Sequence, residues 1–144
     1  LALRGKAAVA NGQLAYARFV ETFSGPRWDA LVTRGARVQR PLWASTSTKN
    51  SDYPDTLYVD ELIGPDTVNT LPDSTIDAFE DHGTVARTID SDVDAARAVI
   101  ASLAAVGVDI DDVTQLLEDD GVAAFKKSFD ELLAALATKA EGLR

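Results

Sequence analysis

A run of hydroxyl, amine and amide side chains, residues 45–50, has the residue types that bind phosphate groups in proteins. The run reads Ser-Thr-Ser-Thr-Lys-Asn and lies between a strand-like segment, residues 37–44, and a helix-like segment, residues 55–63. Ligands of α/β proteins bind beyond the carboxyl ends of parallel strands, so these side chains and their backbone N–H groups can converge there on an anion. The candidate substrate-binding residues are Ser45, Thr46, Lys49 and Asn50.

A purely structural interpretation of the same run stays open. Serine and threonine side chains in a polar turn often do no more than hydrogen-bond their own backbone. The run is not a Walker A phosphate loop, because that motif needs glycines and residues 45–50 contain none. Lys49 lies in a polar segment without the apolar pocket that activates an amine for imine formation, so we expect a cationic ligand rather than a nucleophile.

Two Asp-rich stretches begin like calcium-binding loops but lack the residues that such loops require. An EF-hand loop needs glycine at its sixth position and glutamate at its twelfth. In the stretch that begins at Asp90 these positions hold Ala95 and Ala101, and in the stretch that begins at Asp109 the sixth position holds Thr114. We interpret both stretches as helix N-termini, where carboxylates interact favourably with the helix dipole, and predict no metal site.

The chain has no cysteine and a single histidine, His82. Disulfides, thiolate metal sites and cysteine nucleophiles are therefore excluded. His82 directly precedes Gly83 at the end of a predicted helix, where a positive charge is favourable, and this position indicates a structural or surface role.

The net charge of −9 and the isoelectric point near 4.4 disfavour general binding to nucleic acid or to an anionic membrane. Residues 1–50 nevertheless carry eight basic and two acidic side chains, whereas residues 51–120 carry two basic and 18 acidic ones. Four basic side chains surround the strand-like segment, where they can attract an anionic small molecule. They are Arg34, Arg37, Arg40 and Lys49.

Composition predicts a globular domain with a core, since 46% of the residues are hydrophobic and 26% are charged. No apolar run approaches the roughly 18 to 20 residues that cross a bilayer, so we expect a soluble, cytoplasmic protein. The chain contains no methionine, which indicates an excised segment of a longer protein.

Apolar periodicity and turn residues predict mostly helices around two strands. The expected strands are residues 37–44 and 67–71, and the expected helices are residues 6–24, 28–32, 55–63, 74–82, 92–106, 111–119 and 122–139. A strand, a helix and a second strand within about 35 residues are typical of a parallel βαβ unit. Two strands alone leave unpaired edges, so the chain is predicted to be part of a larger parallel sheet.

The last predicted helix carries one apolar stripe, typical of a helix that faces a core or a partner. The stripe consists of Val122, Phe125, Phe129, Leu132, Leu133 and Leu136. It supports an alternative to the larger sheet, in which the chain is a stand-alone helical protein-interaction module without catalytic activity.

Three ordered segments carry a family resemblance. They are RPLWASTSTKN at residues 40–50, DTLYVDELIGP at residues 55–65 and TVNTLP at residues 67–72. With them the chain resembles the C-terminal part of a bacterial transaldolase, and the resemblance extends from residues 3–6 to the closing helix with Phe125.

The resemblance implies that residues 1–144 are the C-terminal segment of a single (β/α)8 barrel domain, with residues 37–44 as the seventh strand and residues 67–71 as the eighth. It implies an enzyme of the non-oxidative pentose phosphate pathway that moves a dihydroxyacetone unit between sugar phosphates. The resemblance implies that the reaction runs through a lysine Schiff base without metal or organic cofactor. The implied partners are sugar phosphates and the remaining N-terminal barrel segment.

The same resemblance implies which residues bind substrate. Ser45 corresponds to the family's serine at the end of strand seven, and Lys49 with Asn50 resembles an Arg-Asn pair beyond that serine. Lysine in place of arginine gives a point-charge contact with phosphate rather than a bidentate one. The Schiff-base lysine of the family lies on an earlier strand, so no catalytic residue is expected in this chain. A fusion with a second sugar-phosphate domain is a further possibility.

Overall fold

The computed structural model describes residues 2–143. Backbone contacts divide the chain into two units, one up to Ser102 and one from Leu103 onward, and the boundary falls inside helix α5. In chain order the elements are α1 (Ala7–Thr22), α2 (Gly25–Thr33), β1 (Leu42–Trp43), α3 (Leu57–Asp60), β2 (Val68–Asn69), α4 (Asp73–His82), α5 (Val93–Ala105) and α6 (Ile110–Glu141).

The two strands pair in parallel, which confirms the predicted strand, helix, strand unit. Leu42 lies opposite Val68 and Trp43 lies opposite Asn69. The predicted lengths are wrong, because residues 37–44 and 67–71 each contribute only two residues to the ladder. Within the described residues each strand has one neighbour, and Pro41 has no N–H to donate, so the ladder ends there. A barrel is therefore not seen in residues 2–143, while the α/β arrangement is.

The predicted helix bounds need four corrections. Helix α2 spans Gly25–Thr33 rather than residues 28–32. Helix α3 has four residues rather than the nine of residues 55–63, because turns occupy both of its ends. Helix α4 begins at Asp73 rather than at residue 74, and no side-chain hydrogen bond caps it. The two closing helices are one helix of 32 residues, since a lone glycine, Gly121, lowers helix stability by about 1 kcal/mol without ending the helix.

The core of the first unit joins α1 to the chain beyond α3. Tyr16, Leu62 and Ile89 are buried together, and Ile89 is fully inaccessible. The Tyr16 hydroxyl donates to the carbonyl of Pro65 at 3.1 Å, and burial followed by the charge of Asp90 raises its pKa. The helix predicted at residues 6–24 thus contributes Tyr16 to the core.

Close packing around Ile89 depends on a residue without a side chain. A Cβ on Gly64 would lie 2.1 Å from Cγ2 of Ile89, closer than any real carbon contact. Gly64 therefore lets the backbone that follows α3 approach the buried Ile89 directly.

The segment after α4 is fastened to the end of α3 by hydrogen bonds. The carbonyl of Ile63 accepts from the backbone N–H groups of Thr88 and Ile89 at 3.0 and 3.1 Å. The Thr88 hydroxyl donates to the carbonyl of Asp60 at 2.6 Å and accepts from the N–H of Ile63 at 3.2 Å. These bonds hold Thr88 and Ile89 against the end of α3, a few residues beyond His82, where α4 ends.

The second unit consists of the end of α5, a turn and α6. Gly107 has φ of 88°, and the N–H of Val108 donates to the carbonyl of Leu103 at 3.0 Å, as at many helix C-termini. The Asp109 side chain accepts from the N–H groups of Asp111 and Asp112, which confirms that this Asp-rich stretch is a helix N-terminus. Among residues 2–143, no helix is both long and apolar enough to cross a lipid bilayer.

We predict that Ile89→Ala lowers the free energy of unfolding by about 2 to 5 kcal/mol, because it leaves a cavity between α1 and α3. Urea unfolding of the purified protein measures the change. Val85→Ala is the matched control, since Val85 is 83% exposed and should change stability by less than about 0.5 kcal/mol. Equal effects of the two substitutions would contradict the placement of Ile89 in the core.

Candidate functional site

The loop from Ser45 to Thr56, which joins β1 to α3, is anchored at its start by a buried threonine. Thr46 is 4% exposed, and its hydroxyl donates to Oδ1 of Asn69 at 2.7 Å. The same hydroxyl lies 3.2 Å from the carbonyl oxygen of Thr70. Because Asn69 belongs to β2, this contact joins the carboxyl ends of the two strands.

Ser45 leaves β1 in an unusual backbone conformation. Its φ is 57°, in the left-handed region that costs a residue with a side chain roughly 1 to 2 kcal/mol. Such strain is concentrated at sites where the chain must present a side chain or a backbone group to a ligand. Ser45 is also exposed, so its hydroxyl is accessible at the edge where the strands end.

Lys49 and Asn50 are both exposed further along the loop. The Lys49 ammonium donates to the hydroxyl of Ser47. The side-chain oxygen of Asn50 accepts from the N–H of Asp52 at 2.9 Å, and its carbonyl accepts from the N–H of Tyr53 at 3.1 Å. The side chains of Thr46 and Asn50 thus stabilise the turn, as the structural interpretation of the run requires, whereas Ser45 and Lys49 are presented to solvent.

The far end of the loop is anchored by a histidine from α4. The Thr48 hydroxyl donates to the carbonyl of Asp55 at 3.2 Å, and Oδ1 of Asp55 lies 2.8 Å from Nε2 of His82. The other ring nitrogen, Nδ1, lies 3.1 Å from Oδ2 of Asp81. A neutral imidazole has one N–H, so two facing carboxylates favour the doubly protonated ring.

Both groups of this contact have shifted pKa values. The hydrogen bond that the His82 ring donates to Asp55, followed by the one it donates to Asp81, raises the pKa of His82 above its ordinary value. The hydrogen bond from His82 lowers the pKa of the Asp55 carboxyl. No sequence pattern predicts this contact, because the partners are 27 residues apart and no local motif joins them.

A cavity of about 420 Å³ lies beside the start of α1. It is largely apolar, with Arg4, Lys6 and Glu61 as its charged residues, and Tyr53 contributes to it from the loop. Gly5 has φ of 74°, and a Cβ there would lie 3.3 Å from the ring of Tyr53, so the ring packs over the glycine backbone. None of the four candidate substrate-binding residues lines this cavity.

Metal-binding residues are not brought together in the part of the chain that the structure describes. Residues 2–143 contain no group of three or more His, Cys, Asp or Glu side chains arranged to hold a metal ion. What the loop offers to a ligand is therefore hydroxyls, backbone N–H groups and one ammonium.

The family model of Transaldolase/Fructose-6-phosphate aldolase matches residues 1–136. The chain belongs to this family. The resemblance to transaldolases carried by residues 40–50, 55–65 and 67–72 is thus confirmed.

Curated family members are similar over almost the whole chain. Proteins named transaldolase from Frankia alni, Thermobifida fusca and Mycobacterium leprae are 56%, 54% and 56% identical over 137, 138 and 135 residues. These alignments cover 94%, 95% and 92% of this chain. They cover only 37%, 38% and 36% of the relatives, so this chain spans little more than a third of a transaldolase's length.

We predict that Thr46→Val lowers the free energy of unfolding by about 1 to 3 kcal/mol, because it removes the buried donor that Asn69 accepts from. Thr46→Ser keeps the hydroxyl and should recover most of the loss in urea unfolding. Thr33→Val is the matched control, since the exposed hydroxyl of Thr33 donates only to a backbone carbonyl of its own helix. A loss no larger than that of Thr33→Val would show that the Thr46 contact is dispensable.

Proposed function

We propose that the chain is the C-terminal segment of a transaldolase barrel and supplies part of its sugar-phosphate pocket. The observation that supports this most is the parallel β1–β2 pair, with a hydroxyl-rich loop at its carboxyl end tied to β2 by Thr46. In (β/α)8 barrels the active site forms at that end of the strands, and loops after strands seven and eight often bind phosphate.

In this proposal the loop residues have different roles. The exposed Ser45 hydroxyl and the Lys49 ammonium contact the phosphate, and the Asn50 amide contributes a further polar group. Thr46 supports this wall of the pocket without contacting the phosphate, because its hydroxyl donates to Asn69. Sugar phosphates are the proposed ligands, and the proposed site of the reaction is the cytoplasm.

The bond-making group is proposed to lie outside this chain. A Schiff-base lysine needs a desolvated or otherwise activating environment, and the lysines of this chain are exposed. They are Lys6, Lys49, Lys126, Lys127 and Lys139. The intact enzyme would transfer a dihydroxyacetone unit between sugar phosphates in the non-oxidative pentose phosphate pathway, with the N-terminal barrel segment supplying the reactive amine. The isolated chain would then be inactive.

A second candidate function, a helical protein-interaction module, is favoured by the surface of α6. The six residues of its predicted apolar stripe are between 50% and 82% exposed. Sedimentation and thermal unfolding of the isolated chain discriminate between the two functions. A cooperatively folded monomer would favour the module, and aggregation relieved by the missing barrel segment would favour the transaldolase proposal.

A chimera tests the proposed chemistry directly. Residues 2–143 replace the matching segment of the Frankia alni transaldolase, and borohydride is added in the presence of fructose 6-phosphate. We expect a reduced adduct on a lysine from the Frankia part, mapped by mass spectrometry. An adduct on a lysine within residues 2–143, or on the isolated chain, would contradict the proposal.

In the same chimera we predict that Lys49→Gln raises KM for the sugar phosphate roughly tenfold, as expected when one charge-assisted hydrogen bond is lost. Lys49→Arg keeps the positive charge and should stay within about threefold of the starting KM. Lys126→Gln is the matched control, because it removes an exposed lysine from α6. If the glutamine variants at both positions behave alike, Lys49 does not bind the phosphate.

A further inference from the structure

The loop between β1 and α3 is held at its start by groups that do not titrate near neutral pH, and near its end one of the contacts that hold it does titrate there. Thr46 holds the start of the loop through neutral groups, Asn69 and the carbonyl of Thr70. The end of the loop is held by the contact between Asp55 and His82. Lys49 and Asn50 lie between the two anchors, so both anchors affect where these side chains are presented.

The position of His82 is fixed independently of its contact with Asp55. The N–H of Thr84 donates to Oδ1 of Asp60 at 2.8 Å, and the hydroxyl of Thr56 donates to Oδ2 of the same carboxylate at 2.7 Å. Asp60 therefore joins the chain just after His82 to the chain just after Asp55. The imidazole is held within reach of the loop whatever its protonation state.

We propose that His82 is a positioning residue, which as an imidazolium holds Asp55 and so fixes the end of the loop that presents Lys49 to a phosphate. The proposal rests on the proposed function, because it assumes that this loop binds sugar phosphate. His82 itself does not touch the substrate. It acts through the loop, and it makes phosphate binding depend on pH.

The charges around His82 set the direction of this dependence. Two carboxylates face the ring, Asp55 from the loop and Asp81 from α4 itself. Because the pKa of His82 is raised, its contribution is complete below the ordinary value of 6.5 and is lost as pH rises through the raised value. The lowered pKa of Asp55 means that its contribution is present above 3.8 and is lost only as pH falls further. The contact is therefore strongest in weakly acidic solution and weakens on the alkaline side.

The size of the effect is limited because both side chains are about half exposed or more, at 49% for His82 and 65% for Asp55. Exposed ion pairs change equilibria by about fivefold at most. We therefore expect KM for the sugar phosphate to respond by about two- to fivefold, with kcat unchanged because the chemical step does not involve the loop's far end.

The test measures KM and kcat of the Frankia chimera between pH 6 and pH 8.5 for the starting protein and for His82→Gln. At pH 6 the variant should have a KM about two- to fivefold higher. At pH 8.5 the ratio should approach one, because neutral imidazole and glutamine both offer a single N–H donor group. His82→Lys keeps a positive charge at both pH values and should keep KM low across the range.

Asp81→Asn is the matched control. It removes the second carboxylate that raises the His82 pKa, so the rise in KM should begin at a lower pH while KM at pH 6 changes little. A purely structural role of His82 would instead give a KM ratio that does not depend on pH. A ratio of one at pH 6, or the same ratio at both pH values, would overturn the proposal.

Amide hydrogen exchange provides a readout that does not need activity. At pH 6, residues 48–55 should exchange at least about twofold faster in His82→Gln than in the starting chimera, while residues 42–46 should not change. An inactive starting chimera would count against the proposed function, and His82 would then be judged on this exchange alone. Equal exchange of residues 48–55 in both proteins would overturn its positioning role.

Discussion

The parallel pairing of β1 with β2 is the constraint on which the candidate site depends. A ladder of two residue pairs is short, and side chains extend it: the Thr46 hydroxyl reaches Asn69, and the Thr70 hydroxyl donates to the carbonyl of Trp43 at 3.1 Å. Since both strands run the same way, their carboxyl ends and the loop after β1 meet at one edge. A shift of one residue in register would turn Asn69 to the other face and remove the partner of Thr46.

Packing on the helical side holds this edge in place. Ile89 fills the space between α1 and the chain beyond α3, and Gly64 makes its close approach possible. The hydrogen bonds of Thr88 and Asp60 then fix the last turn of α4 relative to α3. A core of few buried residues thus determines where His82 and the end of the loop meet.

Sequence patterns predicted the structural features that depend on interactions between residues close in the chain. The helical periodicity around Tyr16, the cap at Asp109 and the parallel order of the two strands were recognisable because each depends on neighbouring residues or on short spacings. The length of β1 was not recognisable from the sequence, since it depends on how many residues of another segment pair with it. The break expected near Gly121 was wrong because the intact backbone hydrogen bonds of α6 outweigh the low helix propensity of one glycine.

In the candidate site, too, local features were predictable from the sequence and long-range contacts were not. The composition of residues 45–50 identified a polar loop after a strand, and the structure places it there. Which hydroxyls are already engaged depends on Asn69, more than 20 residues away, and the contact of Asp55 with His82 spans 27 residues. The first contact is set by the register of β1 with β2, and the second by the packing of Ile89 and the hydrogen bonds of Asp60, so no local pattern contains either.

The charge that a phosphate would meet at the proposed site is local, although the whole chain carries a net charge of −9. Charges on an exposed surface are screened over about 8 Å in physiological salt, so a bound phosphate responds to its neighbours and not to the total. In the proposed site Lys49 would attract it, whereas Asp52 and Asp55 on the same loop would repel it. In the proposed site an imidazolium at His82 has two effects: it holds the end of the loop through Asp55, and it offsets the charge of that carboxylate. Both effects act in the same direction, and both disappear when the ring loses its proton.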